Sequence, residues 1–315
     1  MAEHDHHHDH GHEPHHGAAG HHHVPASFGK AFAIGIALNL AYVVGEAFYG
    51  IIAHSLALLA DAGHNLGDVL GLAGAWLASV LGQRRPSGRY TYGLRRSSIL
   101  AALGNAIVLL VVTGGIAWEG IRRLINPEPV GGLIIMVVAA VGILVNGLTA
   151  LLFMSGRKGD LNIKGAFLHM ASDALVALGV VLAGAVMMWR GWPWLDPAIS
   201  LVISVVIVAG TWSLLRDSVN LALDAVPPGI KPGDVTAFLK QQRGVAAIHD
   251  LHIWPMSTTE TALTCHCLMP GGHPGDEFLV HLAHDLQERF NIGHATIQVE
   301  VNEQIACKLE PDHVV

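Results

Sequence analysis

Six long apolar stretches constrain this chain more than any other feature of its sequence. A helix needs about 20 apolar residues to cross the hydrocarbon core of a bilayer. The stretches, each of about that length, are Phe32–Ala53, Leu56–Leu81, Ile99–Trp118, Val130–Met154, Ala166–Trp189 and Ala198–Leu215. Only 14% of the 315 residues are charged, whereas soluble domains carry about a quarter. The sequence therefore predicts an α-helical membrane protein with six transmembrane helices, over residues 30–218.

Basic residues are concentrated in alternate loops between these stretches. The loop after the second stretch carries Arg84, Arg85, Arg89, Arg95 and Arg96, and the loop after the fourth carries Arg157, Lys158 and Lys164. Loops rich in Lys and Arg stay on the cytoplasmic side of a membrane. We therefore expect both termini of the protein to be cytoplasmic.

The pattern changes after Pro228. Short alternating runs at 248–254, 261–269 and 295–301 predict three strands. Helical spacing of apolar residues predicts a helix between Phe278 and Phe290, and a weaker helix fits Gly233–Gln242. The order α-β-β-α-β predicts a small cytoplasmic α+β domain over residues 229–315.

The N-terminal segment is unusually rich in histidine. Residues 1–25 hold 11 of the 22 histidines, broken by Asp, Glu, Gly and Pro, without the apolar periodicity that a core requires. The segment is predicted to be a disordered cytoplasmic tail over residues 1–29. A purification tag is the alternative, but tags are usually unbroken runs. We expect no cleaved signal peptide, because no apolar run with a cleavage site is present.

Charge and cysteine content exclude several classes of protein. A net charge of −7 and the lack of a basic surface argue against a nucleic-acid partner. Three cysteines are an odd number without the spacing of a disulfide framework, so the soluble domain is expected to face a reducing compartment.

Two apolar stretches contain ionisable residues at helical spacing. His64 and Asp68 are four residues apart in the second stretch, as are His169 and Asp173 in the fifth. Each pair therefore lies on one helix face. A charge in mid-membrane costs about 2.5 to 3.5 kcal/mol on translocon scales, so such residues are rare without a function. Together the pairs supply two nitrogens and two oxygens, a set that suits a tetrahedral zinc ion. The alternative is that each pair only cross-links helices.

Other polar residues in these stretches allow two interpretations. Asp61 lies three residues before His64, where it can orient that imidazole or cap a helix end. Several residues can line a pathway or form interhelical hydrogen bonds, and the second use is the more frequent. They are Asn39, Glu46, Asn65, Asn105 and Asn146.

The soluble domain also contains candidate metal ligands. Alternate residues of a strand share a face, so His266 can meet His294 and Glu300 across neighbouring strands and form a partial metal site. His281 and His284 are expected to be solvent-exposed on the predicted helix.

Several ordered motifs in the chain resemble one known family. They are SLALLADAGHNLGDVLGL, RYTYGLRRSSILAALGNA, DLNIKGAFLHMASDAL, HDLHIW and GHATIQVEV. From Ala31 to Val301 the chain resembles the cation diffusion facilitators, which include zinc transporters and bacterial cobalt-zinc-cadmium efflux proteins. The resemblance implies a homodimer of six-helix protomers, a ferredoxin-like cytoplasmic domain, and exchange of metal for protons at a site between the second and fifth helices.

The resemblance also implies roles for individual residues. His64, Asp68, His169 and Asp173 fall on the transport ligands, a set that favours zinc and allows cadmium and cobalt. In the soluble domain, His266, His294 and Glu300 match metal-binding positions and His249 matches a position near a dimer-bridging site, with zinc as a regulatory ion. The segment RRPSGRYTYG lacks the histidines that hold a further metal in some relatives, so no site is expected there. A bacterial inner-membrane location is expected.

The ligands themselves suggest a mechanism. Imidazoles titrate near pH 6.5, and an arriving dication displaces their protons, so metal–proton antiport by alternating access is expected. The alternative is an intramembrane zinc hydrolase, which needs three protein ligands and an open position for water. No HExxH motif is present, and four ligands close the tetrahedron. We therefore expect a transporter with zinc as substrate, and neither an enzyme nor a cofactor.

Overall fold

The computed structural model describes residues 30–154, 161–305 and 307–309. Six long helices come first in the chain. They are α1 (Lys30–Ile52), α2 (Leu56–Gly82), α3 (Ser97–Ile125), α4 (Gly132–Met154), α5 (Leu161–Arg190) and α6 (Leu195–Ala222). The histidine-rich tail predicted over residues 1–29 lies outside the described residues.

The helices present apolar side chains to the outside of the bundle. Helices α2 to α6 are each long and apolar enough to cross a membrane, and α1 has a shorter apolar part, Ala37–Ile52. Large side chains such as Val111, Leu175 and Val205 are about two-thirds exposed. In water this surface would be costly, whereas in a bilayer it faces lipid. The prediction of a multi-pass membrane protein is confirmed.

The helices pack in two groups. Helix α4 packs along most of α5, while α3 packs on α6 and on α2, and α2 meets α5 only over a short stretch. The close contact of α4 and α5 depends on small residues, because a Cβ on Gly184 would lie 3.1 Å from the carbonyl oxygen of Gly132. One group is therefore α4 with α5, and the other is α1, α2, α3 and α6.

Helix α2 begins at a buried cap shared with α6. The Ser55 hydroxyl accepts a hydrogen bond from the Leu58 amide at 3.2 Å and donates one to Asp196 at 2.5 Å. The Asp196 carboxylate also accepts the Leu56 amide at 2.7 Å. These contacts satisfy amides that a helix start leaves unpaired. They also tie α2 to the first turn of α6.

The second part of the chain is the predicted α+β domain. It contains α7 (Pro232–Lys240), β1 (Ala247–Pro255), β2 (Thr261–Leu268), α8 (Asp276–Phe290) and β3 (Ile292–Glu300). The predicted order α-β-β-α-β is confirmed. The sheet order is β1-β2-β3, with β1 antiparallel and β3 parallel to β2. Leu239 of α7, Leu286 of α8 and Leu263 of β2 share one buried core, so both helices cover the same face of the sheet.

The loop between α2 and α3 touches the soluble domain. Arg95 pairs with Glu260, and Arg96 pairs with Asp224. In addition, Tyr92 packs edge-on against His294 with ring centroids 5.6 Å apart. This basic loop therefore lies on the same side of the membrane as the soluble domain.

Candidate metal sites

The four ionisable residues of α2 and α5 meet in one cluster. His169 Nε2 lies 3.1 Å from Asp68 Oδ2 and 3.7 Å from Asp173 Oδ2. His64 Nε2 lies 3.6 Å from Asp173 Oδ1 and 3.8 Å from Asp68 Oδ2. Each imidazole therefore faces one carboxylate of its own helix and one of the opposite helix.

Helical spacing places the cluster where α2 and α5 approach each other. Residues four apart stack on one face, so each helix contributes one His and one Asp at the same depth. The Asp173 side chain is only 4% exposed, whereas His64 is partly exposed. A cavity of about 570 Å³, lined by Asp61, His64 and Asp68 together with apolar residues of α3, α5 and α6, reaches the cluster.

The spacing of these atoms suits a small divalent ion. Zinc bonds to nitrogen and oxygen of about 2.0 to 2.1 Å in a tetrahedron place ligand atoms roughly 3.3 Å apart. The observed nitrogen–oxygen distances run from 3.1 to 3.8 Å. One ligand atom from each of His64, Asp68 and His169 lies within 4.8 Å of the others. The cluster can hold a metal after small side-chain movements.

Asp61 takes neither of the two roles that its position suggested. The start of α2 is capped by Ser55 and Asp196. Asp61 cannot be this cap, since it lies more than one turn inside the helix. Among the described residues, Asp61 makes no hydrogen bond to His64. Asp61 is 2% exposed and lies four residues before Asn65, whose side-chain amide donates to Glu46 of α1 at 3.4 Å.

A second cluster lies on the open face of the soluble domain. Glu300 Oε1 is 3.1 Å from His266 Nδ1, and Glu300 Oε2 is 3.3 Å from His249 Nε2. Cys307 Sγ lies 3.5 Å from the same His266 nitrogen. One ligand atom of each of these four residues lies within 4.8 Å of the others, so they form a possible metal site.

The sheet register explains this second cluster. His249 and His266 are directly opposite in the antiparallel pair β1–β2. Glu300 of β3 lies diagonally across from His266, because Gln298 is the residue opposite it. Cys265 and Cys267 point to the other face, where they are 1% exposed in the core. A hydrogen bond with Cys267, and burial, raise the pKa of the Cys265 thiol, and its place in the core separates it from the cluster on the open face.

The structure corrects the expected position of His294. This residue lies opposite Ala262, four residues before His266 along β2. At about 3.3 Å per residue that separation is about 13 Å, too far for a shared ion. His294 instead contacts Tyr92 of the basic loop. The expectation that His294 meets His266 is therefore wrong.

Two residues of the second cluster were not identified from the sequence as ligands or neighbours. Cys307 follows the last strand and has no periodic signal. Asp250 has a positive φ of 51° where the β1–β2 register shifts, and its carboxylate lies 3.5 Å from His266 Nε2. Its position between two histidines in HDLH was the only available signal.

The electrostatics of the second cluster favour an ionised carboxylate. Burial opposes ionisation of Glu300, but a hydrogen bond from the Cys307 thiol and the nearby His249 and His266 rings outweigh it. The pKa of the Glu300 carboxyl therefore lies below its ordinary value. An anionic oxygen beside two imidazoles is a suitable partial ligand set for zinc.

These features define a class of protein. Apolar helices that enclose two His/Asp pairs, followed by a soluble α+β domain, are typical of a membrane transporter of cations. The sequence profile of the cation efflux transmembrane domain matches residues 32–221, and that of the cation efflux protein cytoplasmic domain matches residues 227–302. The chain belongs to the cation efflux family, the cation diffusion facilitators.

Relatives with assigned names agree with this family. The chain is 33% identical over 286 residues to a cadmium, cobalt and zinc/H(+)-K(+) antiporter of Bacillus subtilis, covering 89% of this chain and 92% of the relative. It is 34% identical to the metal cation efflux system protein CzcD of Cupriavidus metallidurans, covering 90% of each. It is 36% identical to the zinc transporter ZitB of Escherichia coli, covering 86% and 85%.

Family membership decides between the two functions that the sequence allowed. The matched domains and the relatives are efflux transporters, so the protein is a cation efflux transporter and not an enzyme. The alternative of an intramembrane zinc hydrolase has no support.

Proposed function

We propose that this protein carries Zn²⁺ out of the cytoplasm in exchange for protons, with the ion held by His64, Asp68, His169 and Asp173. The observation that carries the proposal is the mutual approach, within 3.1 to 3.8 Å, of imidazole nitrogens and carboxylate oxygens from two transmembrane helices. The names of the relatives, which include zinc, cadmium and cobalt, agree with this choice of substrates.

The ligand set supports zinc as the preferred ion. Two nitrogens and two carboxylate oxygens suit a borderline-soft ion with tetrahedral geometry. Magnesium and calcium require six or more oxygens, and Cu(I) requires sulfur. Cadmium and cobalt are accepted as secondary substrates, because they share these ligands.

The same ligands support exchange with protons. An imidazole nitrogen must be unprotonated to bind a metal, so each arriving ion displaces protons from the site. Protons that return from the outer side then reset it. The name of the Bacillus subtilis relative, which includes H(+), agrees with this coupling.

The packing of the helices supports alternating access. The two ligand pairs lie on different helix groups, with His64 and Asp68 on α2 and His169 and Asp173 on α5. Because α2 and α5 share few contacts, the pair α4–α5 can rock against the other four helices about the buried core that joins the two groups, which includes Leu58, Ile135 and Val180. Movement of one group would open the site to each side in turn.

Several features support an orientation with both termini in the cytoplasm of a bacterial inner membrane. The basic loop after α2 lies beside the soluble domain and pairs with it through Arg95 and Glu260, and basic loops are typically cytoplasmic. We propose residues 30–218 as the transport domain and residues 229–315 as a cytoplasmic domain that forms a homodimer, which agrees with the matched family of that domain.

We also propose that His249, His266, Glu300 and Cys307 bind a regulatory zinc ion, and that residues 1–29 collect metal through many weak imidazole contacts. The cytoplasmic cluster rests on its geometry. The tail rests on its composition alone, and its tether would raise the local concentration of metal.

Equilibrium dialysis tests the cytoplasmic cluster. We expect the double variant His249→Ala, His266→Ala to bind about one zinc ion fewer per protomer than the full chain, because a site with half of its ligands removed is lost. The matched control is His281→Ala, His284→Ala, which removes two exposed histidines of α8. Equal stoichiometry in the two double variants would rule out the cytoplasmic site.

Flux into sealed proteoliposomes tests the proposed transport function. We expect external zinc to accumulate in the lumen while luminal pH rises, because protons leave as metal enters. Vesicles without protein are the control. Failure of zinc to enter would refute zinc transport, and entry without any change of luminal pH would refute proton exchange.

A further inference from the structure

A buried carboxyl pair lies between α1 and α2, outside the proposed ligand set. Glu46 of α1 is 0% exposed and Asp61 of α2 is 2% exposed. Asp61 lies four residues before Asn65 on the same face of α2, and the Asn65 side-chain amide donates to Glu46 at 3.4 Å, so the two acids face each other. Among the described residues, no Lys, Arg or His forms an ion pair with either one. Burial without a cation is costly for a carboxylate, and more costly for two side by side.

Neutral donors surround Glu46. The Tyr42 hydroxyl donates to Glu46 Oε1 at 2.7 Å, and the Asn65 side-chain amide donates to Glu46 Oε2 at 3.4 Å. Both carboxylate oxygens of Glu46 therefore accept a hydrogen bond from the protein, which leaves few lone pairs for a metal ion. A hard metal ion also needs several oxygen ligands. Two buried carboxyls that face each other without a cation, in contrast, favour a state in which one of them carries a proton. The ligand that this geometry accepts is a proton.

The surroundings of Glu46 contain few other titratable groups. Helix α1 packs on α2 and α4. The sequence of α4, residues 132–154, has no ionisable side chain. From α2 the facing acid is Asp61, with His64 and Asp68 beyond it, and α1 itself contributes Tyr42. The charge of Glu46 therefore depends mainly on Asp61 and on whatever cation occupies the ligands beyond it.

Two contacts connect this pair to the transport ligands. Asp61 lines the same cavity as His64 and Asp68, so a dication there raises the electrostatic potential at the carboxyl pair. Asn65, the donor to Glu46, is the neighbour of His64 in α2. A shift of α2 against α1 during transport would break that hydrogen bond. Both effects couple the charge of Glu46 to occupation of the metal site.

We propose that Glu46 carries one of the exchanged protons. When a divalent cation binds to the transport ligands, the carboxyl of Glu46 loses its proton to water, and when the cation leaves, the carboxylate takes up a proton again. The inference rests on the proposed metal–proton exchange. It adds a proton-carrying residue on α1, which is not itself a metal ligand.

Counting the protons released on zinc binding tests the inference. The purified full-length protein, in a background with His249→Ala and His266→Ala, is titrated with zinc in weakly buffered solution at several pH values. We expect Glu46→Gln, which keeps the size of the side chain, to bind the same amount of zinc and to release about one proton fewer per protomer at saturation. The matched control is Glu119→Gln at the outer end of α3, an acid paired with Arg123, which should release the parental number.

The outcomes separate this inference from the proposed function. Equal proton release by Glu46→Gln and its parent would overturn the role of Glu46 and leave metal–proton exchange intact. Absence of zinc binding by the parent would overturn the proposed function instead. If Glu46→Gln does not fold, Asp61→Asn replaces it, and we expect proton release to reach its maximum at a lower pH. An unchanged pH profile in Asp61→Asn would equally overturn the role of Glu46.

Discussion

Replacing Asp173 with alanine is expected to abolish zinc transport while the protein stays folded. Asp173 is the most buried of the four transport ligands, and its two oxygens face the Nε2 atoms of His64 and His169 at 3.6 and 3.7 Å. The substitution removes half of the anionic charge that compensates the dication. We expect at least a hundredfold lower transport rate at limiting zinc, which corresponds to a loss of about 2.8 kcal/mol in the affinity for the ion.

Zinc uptake by proteoliposomes that contain equal amounts of each protein measures this effect. The matched control is Asp217→Ala, which removes an exposed acid near the end of α6 whose ion pair within the described part of the chain is with its neighbour Arg216. The control should transport zinc at the parental rate. Uptake by Asp173→Ala within a few-fold of that rate would remove this residue from the ligand set.

The membrane helices were predictable because the bilayer imposes a simple rule. Backbone groups in hydrocarbon must pair within the segment, so a long apolar run is read as a helix. The ends were less predictable. Helix α6 was predicted over Ala198–Leu215 but runs over Leu195–Ala222. An apolar run marks the part of a helix that lies within the hydrocarbon layer. Helix α6 continues beyond that part through Arg216 and Asp217, whose side chains are exposed.

The transport cluster was predictable for a similar reason. Ionisable side chains in two apolar helices must face each other or a polar cavity, and the four-residue spacing fixed which ones share a face. This prediction needed only the local geometry of a helix, because the two residues of each pair are about one turn apart. The expectation that the four residues meet agrees with the structure, while their role as metal ligands stays a prediction.

The cytoplasmic cluster was harder to predict because it depends on register. Alternation along a strand shows which residues share a face, and it placed His266 and Glu300 correctly on one side of the sheet. It does not fix how far one strand is shifted along the next, and that shift separates His294 from His266. Cys307 is seven residues beyond Glu300, and its Sγ lies 3.5 Å from His266 Nδ1, a tertiary contact without a sequence pattern.

The metal preference of the transport cluster is expected to depend on its nitrogen ligands. His64 Nδ1 is buried without a hydrogen-bond partner among the described residues, so no second residue fixes this imidazole, and its Nε2 faces both carboxylates. Replacing His64 with aspartate changes the set from two nitrogens and two oxygens to one nitrogen and three oxygens. Oxygen ligands suit manganese, whereas zinc binds well to imidazole.

We therefore expect His64→Asp to raise the ratio of manganese to zinc transport by about tenfold, the effect of roughly 1.4 kcal/mol in relative affinity. Competition flux with both ions outside the same proteoliposomes measures that ratio directly and does not depend on expression. The matched control is His54→Asp in the turn before α2, where the positive φ of 53° is one that aspartate also adopts. Because His54 is exposed and outside the cluster, its replacement should leave the ratio unchanged. If His64→Asp transports the two metals in the parental ratio, His64 does not contact the transported ion. His169 would then be the remaining nitrogen ligand of the four proposed ligands.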